Sequence, residues 1–252
     1  MTGTIGRLYL VPMPLGDVAP AETLPAATLS VIAHLTHFVA ENARTARRFL
    51  SQLPLSAPLQ KLAIAELNEH TALQALPGLL TPLVKGHSVG LLSEAGCPVI
   101  ADPGAPLVAL AHEHGIPVTP LVGPTAPILA LMASGLSGQA FHFLGYLPQG
   151  AEERRLSIIR AERTAREARA AQIFIETPYR NVAMFEALLA TCQPTTQLAV
   201  AADLTLASEF LATKSIARWR ELPLPELERR PAVFILGAST FLSAAALRHR
   251  RP

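Results

Sequence analysis

Short Val/Ile/Leu-rich runs alternate with helical segments through the first half of this 252-residue chain. The runs at Arg7–Pro12, His37–Glu41, Lys61–Leu67, Val89–Ser93 and Pro117–Val122 read as buried strands. Between them, Leu24–Leu35, Ala43–Leu53, Leu73–Lys85 and Pro106–His114 read as helices, and Gly86 and Gly115 sit where a helix stop belongs. Gly123-Pro124-Thr125-Ala126-Pro127 then turns the chain: Thr125 or Ala126 caps a helix, Pro127 occupies its first turn, and Gly135 ends it. A second set of elements follows, with strands at Phe141–Leu147, Gln172–Thr177, Leu198–Leu204 and Ala232–Leu236 and helices at Glu152–Arg169 and Arg180–Leu189. The pattern predicts an α/β fold of two unequal domains, residues 1–120 with a largely parallel sheet and residues 121–238. Residues 239–252, with Arg248-His249-Arg250-Arg251, read as a tail that frays.

Composition narrows the class. Half of the residues are hydrophobic and 16% are charged, which allows a sizeable core and argues against wholesale disorder. The net charge of +2 is too small to force a nucleic-acid reading. Only Lys61, Lys85 and Lys214 interrupt an otherwise all-arginine basic set, and a genomic bias toward Arg explains that before phosphate binding does. Cys97 and Cys192 form no metal-ligand spacing and no disulfide framework, so no metal is expected. Met1–Arg7 lacks the pattern of a signal peptide. The apolar stretch Val118–Leu136 nears membrane length, but Pro120, Gly123, Pro124, Pro127 and Gly135 break it. A soluble protein of a reducing, cytoplasmic compartment is expected, with no membrane partner.

The chemistry-bearing segments fall where strands should end. Pro12-Met13-Pro14-Leu15-Gly16-Asp17 follows the first strand, Glu41-Asn42-Ala43-Arg44 the second and Asn68-Glu69-His70 the third. Ser93-Glu94-Ala95-Gly96-Cys97-Pro98-Val99-Ile100-Ala101-Asp102-Pro103-Gly104 follows the fourth, and Gly123-Pro124-Thr125-Ala126 the fifth. Glu176-Thr177-Pro178-Tyr179-Arg180 and Asp203-Leu204-Thr205 end strands of the second domain. Ligands of open α/β sheets bind outside the carboxyl ends of strands, so a parallel sheet gathers the first five segments along one edge. Each has a plain structural reading: Glu41 as a helix cap, His70 as a surface histidine, Asp102-Pro103-Gly104 as turn chemistry. Their number at strand ends is what favours a site. There is no Gly-x-Gly-x-x-Gly, no P-loop, no Gly-x-Ser-x-Gly and no zinc cluster.

In order and spacing these segments resemble the tetrapyrrole methylase superfamily, the class III S-adenosyl-L-methionine (SAM) methyltransferases. They are most similar to the branch that methylates a cytidine ribose 2′-oxygen in small-subunit ribosomal RNA. Met13–Asp17 resembles that branch's Thr-Pro-Ile-Gly-Asn, Ala40–Arg44 its Ala-Glu-Asp-Thr-Arg, and Ser93–Gly104 its Ser-Asp-Ala-Gly-Thr-Pro…Asp-Pro-Gly. Gly123–Ala126, Ser134–Pro148 and Glu176–Arg180 resemble its Gly-Pro-Ser-Ala, its Ser-Gly-Leu-Pro…Phe…Gly-Phe-Leu-Pro and its Glu-Ser-Pro-His-Arg. The chain departs from the branch at Asn42, Ala43, Glu94 and Cys97. It departs again at Ala202-Asp203-Leu204-Thr205-Leu206, where Arg-Glu-Leu-Thr-Lys is expected.

The resemblance implies an active-site cleft between two α/β domains, SAM as cofactor, ribosomal RNA as partner and a homodimer. It implies cofactor contacts from Leu15, Gly16, Glu94, Ala95, Gly96, Val99, Gly123, Thr125 and Ala126, and substrate contacts from Arg44, His70, Tyr179 and Arg180. A ribose hydroxyl must lose its proton, so a carboxylate or histidine belongs beside it; Glu41, Glu69 and Glu176 are the carboxylate candidates, unranked. Arg154, Arg155, Arg160, Arg163, Arg166 and Arg169 lie on one helix that either meets phosphates or is simply solvated, with Glu162 and Arg166 spaced for an i,i+4 pair. Two alternatives stay open: methylation of a small molecule such as a tetrapyrrole, and a SAM-binding paralogue without catalysis.

Overall fold

The computed structural model describes residues 5–238, so the tail reading for 239–252 lies outside the described residues. The chain divides into two units, Met1–Thr125 and Ala126–Pro252.

The first unit contains β1 (Leu8–Val11), α1 (Pro20–Thr23), α2 (Ala26–Ala33), β2 (His37–Ala40), α3 (Ala43–Leu50), β3 (Ala63–Glu66), α4 (Leu76–Leu79), α5 (Thr81–Val84), β4 (Val89–Leu92), α6 (Ala105–Glu113) and β5 (Val118–Pro120). Its sheet runs β3-β2-β4-β1-β5, and every pairing is parallel. Alternation of side chains along each strand feeds two cores, one on each face. Phe38, Ala40, Val11 and Leu92 pack with Ile32, Phe49 and Leu50 of α2 and α3. Val39, Leu8, Val89 and Leu91 pack on the other face with Leu76, Leu83 and Leu107 of α4, α5 and α6. Gly90 leaves the room that Phe38 fills, since a Cβ there would lie 2.8 Å from the Phe38 ring.

The two cores follow from the connections. Chain leaving β1 and β2 runs toward the β3 edge, whereas chain leaving β3 and β4 runs back toward β5. With crossovers of one hand, opposite directions place helices on opposite faces. β2 and β4 are neighbours whose exits diverge, which makes the gap beyond Ala40 and Leu92 the switch point of the sheet, where a crevice must open; the β1 exit crosses over β4 beside it.

The second unit contains α7 (Ala126–Ser134), β6 (Phe141–Tyr146), α8 (Ala151–Glu167), β7 (Ala171–Glu176), α9 (Asn181–Thr191), β8 (Gln197–Ala202), β9 (Phe210–Ser215), α10 (Ile216–Arg220) and β10 (Ala232–Gly237). Its order is β6-β7-β10-β8-β9; β6 and β7 are parallel and the other pairings antiparallel. Phe174, Val200 and Phe234 form one core face with Ile158, Phe185 and Trp219. The Phe174 and Phe234 rings stack at 5.8 Å, and the Trp219 indole donates to the Leu198 carbonyl at 2.9 Å.

Two expectations change. The stretch 73–85 is not one helix: a 3₁₀ turn at Leu73–Ala75 precedes α4 and α5, with Pro77 and Pro82 early in those short helices. A proline has no N–H to continue a preceding turn, so each one restarts the helix. β9 and α10 fall in a region for which the hydrophobic pattern predicts no element.

Candidate active site at the strand ends

Beside the switch point, the β1 and β4 loops are joined to each other. Met13 N–H donates to Gly96 O at 2.9 Å and Gly96 N–H returns to Met13 O at 3.1 Å, a single antiparallel bridge between loops that leave parallel strands. Gly96 sits at φ +69°, and a Cβ there would lie 3.1 Å from Leu15 Cδ2 and 3.4 Å from Pro124 O. Only glycine takes this backbone without strain, and it brings three loops together at one point. The β5 loop closes in the same way, because a Cβ on Gly123 would lie 2.3 Å from the Pro12 ring. The Cys97 thiol, half-buried, donates to Pro124 O at 3.3 Å and Gly123 O at 3.6 Å. Burial pushes this thiol above its usual range, so it stays protonated and serves as a tie between the β4 and β5 loops.

Further along the β4 loop the backbone is strained. Val99 and Ala101 take φ +73° and +63°, a left-handed region that a β-branched residue rarely enters. Asp102 holds them there: its carboxylate accepts Val99 N–H at 2.5 Å and Gly104 N–H at 2.7 Å. Burial nevertheless raises the Asp102 pKa, with these hydrogen bonds pulling the other way.

A cavity of about 180 Å³ opens on this bridge. Leu15, Gly16, Glu94 and Ala95 of the expected cofactor set line it, together with Thr45, Arg48, Phe49 and Gln52 from α3 and the turn after it. Those four α3-side residues carry no sequence motif. Their i, i+3, i+4, i+7 spacing is the available signal, and it marks one helix face. Arg48 Nη2 meets Asp17 Oδ1 at 2.8 Å, an exposed ion pair running from α3 to the β1 loop.

Carboxylates gather beside this cavity. Glu41 continues the sheet past β2, its N–H donating to Leu92 O at 3.2 Å. Burial raises its pKa above the ordinary 4.5; Glu94 and Asp102 add to this, Glu69 adds less, and a hydrogen bond from the Glu94 backbone opposes them. Glu94, Asp102 and, more weakly, Glu69 therefore act on Glu41 through space. Asn42, and not Glu41, caps α3, accepting from Arg44 N–H at 2.9 Å and Thr45 N–H at 3.2 Å. Glu69 and His70 lie exposed on the loop after β3, 3.6 Å apart, and Arg44 is exposed at the start of α3. Val99 and Thr125 belong to the same group of strand-end loops but do not line the cavity.

The remaining expected residues belong to the second unit. Ala126 opens α7. Glu176 ends β7 with a fully buried side chain; its Oε1 accepts Thr177 N–H at 2.7 Å and the Arg180 guanidinium at 2.6 Å, while its Oε2 has no partner. Glu176 thus fixes Arg180, beside an exposed Tyr179. After β8, Asp203 and Thr205 take φ +50° and +71°. Arg230 Nε meets Asp203 Oδ2 at 2.8 Å, and the same guanidinium donates to Glu226 O and Ser208 O, so this arginine is spent on holding the loop. On α8 the expected Glu162–Arg166 pair does not form. Glu162 is buried and accepts from Gln193 N–H at 2.6 Å and Thr196 Oγ1 at 2.5 Å, while the surface pairs are Arg155–Glu152 and Arg163–Glu167.

A doubly wound parallel sheet with its loops tied beside the switch point defines a ligand-binding α/β unit whose ligand sits on strand ends. The family model for tetrapyrrole (corrin/porphyrin) methylases matches residues 7–218, and the chain belongs to that family. It is 35% identical over 211 residues to the "Ribosomal RNA small subunit methyltransferase I" of Mesorhizobium japonicum, covering 83% of this chain and 67% of that protein. A relative of the same name from Micromonospora olivasterospora is 37% identical over 73% of this chain, which spans only 55% of that protein's length. Among solved structures, the methyltransferase CobJ has the same fold, with a TM-score of 0.62 at 20% identity over 93% of this chain and 95% of CobJ.

Proposed function

We propose that this methylase transfers the methyl group of SAM to a ribose hydroxyl of small-subunit ribosomal RNA. The observation that carries the reading is the Met13–Gly96 bridge, which ties the β1 and β4 loops beside the switch point of a parallel sheet, with Glu94 and Asp102 near enough to act on Glu41. The residues fit the cofactor: SAM is a cation at sulfur and at its ammonium group, and Glu94, Glu41 and Asp102 supply the complementary charge. Leu15, Gly16, Glu94, Ala95 and Gly96 would hold it, with Val99, Gly123 and Thr125 shaping the loops behind them. SAM would supply a methyl group activated by its sulfonium, which leaves as a neutral thioether. The protein's own contribution is to align the acceptor and to remove its proton, and alignment alone is worth about 7–11 kcal/mol in favourable systems.

Glu41 is the base in this reading. Its half-buried position and carboxylate neighbours raise its pKa toward working pH, as proton abstraction requires. Glu176, by contrast, orients Arg180. The RNA target is supported by the relatives' shared name and by the motifs that resemble the ribose-methylating branch. We place the protein in the cytoplasm, where ribosomal subunits are assembled, and as a homodimer, which sedimentation velocity tests; no helix among the described residues is long and apolar enough to cross a membrane.

Two measurements test the reading. Isothermal calorimetry is expected to show SAM binding with a micromolar or tighter Kd. Labelled SAM is expected to transfer its methyl to undermethylated small subunits and not to a porphyrin carboxylate. Absence of binding heat overturns the cofactor assignment; transfer to the porphyrin alone overturns the RNA one.

A further inference from the structure

The cavity has two electrostatically opposite ends. At the strand ends stands Glu94 in the cavity lining, with Glu94 and Asp102 close enough to Glu41 to make its ionisation less favourable. On the α3 side stands arginine: Arg44, Arg47 and Arg48 are all exposed. At 100° per residue, the buried face of α3 carries Ala46, Phe49 and Leu50, while Thr45, Arg48 and Gln52 point together toward the cavity. Arg44 and Arg47 follow Arg48 around the helix away from the cavity. Neither has an ion-pair partner among the described residues, and Arg48 has only the exposed Asp17 pair. An exposed pair of this kind contributes little to stability, so Arg48 can exchange it for another anion at little cost.

A cationic ligand such as SAM suits the carboxylate end and is repelled by the arginine end. A phosphodiester has the reverse preference. From this we infer that the α3 side of the cavity is the acceptor-nucleotide subsite of the reaction proposed above. Arg48 and Arg44 take the flanking phosphates, and Thr45 and Gln52 offer hydrogen bonds to a base seated against Leu15 and Val18. The inference rests on the RNA reading of the function but is decided by RNA binding, a separate quantity from turnover.

The test uses the full chain and three exposed substitutions: Arg48→Glu, Gln52→Ala and, as a control, Asp17→Asn. Filter binding to undermethylated small subunits is measured across a salt series, and SAM affinity by calorimetry. Arg48→Glu is expected to weaken subunit binding by roughly tenfold or more and to lower the salt slope by about 1, with the SAM Kd unchanged. Gln52→Ala is expected to raise KM for subunits and leave kcat and the SAM Kd alone. Asp17→Asn, which frees Arg48, is expected to bind subunits at least as well as the parent.

The inference is overturned if Arg48→Glu leaves subunit affinity and salt slope intact, or if it changes SAM affinity as much as subunit affinity. It is also overturned if the substitution weakens a porphyrin carboxylate and not the subunit. A parent protein that binds subunits through Arg48 but neither binds SAM nor transfers methyl refutes the proposed function and leaves this subsite standing.

Discussion

Glu41 is the residue where local structure and chemistry meet. The chain extends one residue past β2 to satisfy a backbone hydrogen bond to Leu92, and this leaves a carboxylate half-buried among other carboxylates. Ionising Glu41 is therefore less favourable in the folded protein than in the unfolded chain. Such a group contributes its stability below the unfolded value of 4.5, and the contribution is lost as pH rises through the higher folded value. Glu41→Gln removes that loss. Denaturation midpoints measured from about pH 4 to pH 7 should show the variant gaining on the parent as pH rises. A pH-independent difference would show that the carboxylate is not destabilised in the fold. The same substitution should reduce methyl transfer by about 100-fold or more if Glu41 is the base, with SAM affinity retained. The sequence placed Glu41 at a strand end but gave no ground for ranking it above Glu69 or Glu176. Ranking needs burial and neighbours, and Glu69 is exposed while Glu176 is bound to Arg180.

At the scale of elements, the β4 loop shows how sequence and strain divide the work. Its glycines and prolines are legible as a ligand turn, and the Met13–Gly96 bridge depends on one of those glycines. The left-handed backbone at Val99 and Ala101 is not legible, because neither residue favours it; it persists only while Asp102 accepts the hydrogen bonds on either side. Asp102→Ala should cost about 2 kcal/mol, the scale of a lost hydrogen bond to a charged group, and should loosen SAM binding as residues 99–104 relax. Urea denaturation and calorimetry read the two effects; unchanged stability would mean that the loop holds its shape without the carboxylate. The inner strands β1, β2 and β4 were readable because each is a largely buried apolar run, a strong local signal, whereas the edge strands β3 and β5 are more exposed than the pattern predicts. In the second unit β9 is a half-buried edge strand, Phe210–Ser215, containing Thr213, Lys214 and Ser215, so its pattern lacks that signal. The antiparallel order of that sheet is a matter of long-range pairing. The α3 wall of the cavity was missed for a related reason: a helix face reads as amphipathic whether it covers a core or a ligand.

At the scale of the whole molecule, the acidic strand-end basin should make cofactor binding a measurable part of folding stability. A ligand that binds only the native state stabilises it by RT ln(1 + [L]/Kd), about 2.7 kcal/mol at one hundred times Kd. S-adenosylhomocysteine, the demethylated product, is a useful probe because it lacks the sulfonium charge. If the carboxylates act on that charge, SAM should raise the melting temperature more than the product does at equal concentration in excess of both Kd values, and the gap should shrink on adding salt. If the cavity instead recognises only the adenosyl and methionyl groups, the two ligands should shift melting equally at every ionic strength. Gly96→Val serves as the control. Its side chain enters the space between Leu15 and the Pro124 carbonyl and demands φ +69° from a β-branched residue, so both ligands should lose their effect. A Gly96→Val protein that still responds to SAM like the parent would move the cofactor away from the Met13–Gly96 bridge, and with it the assignment of the two ends of the cavity.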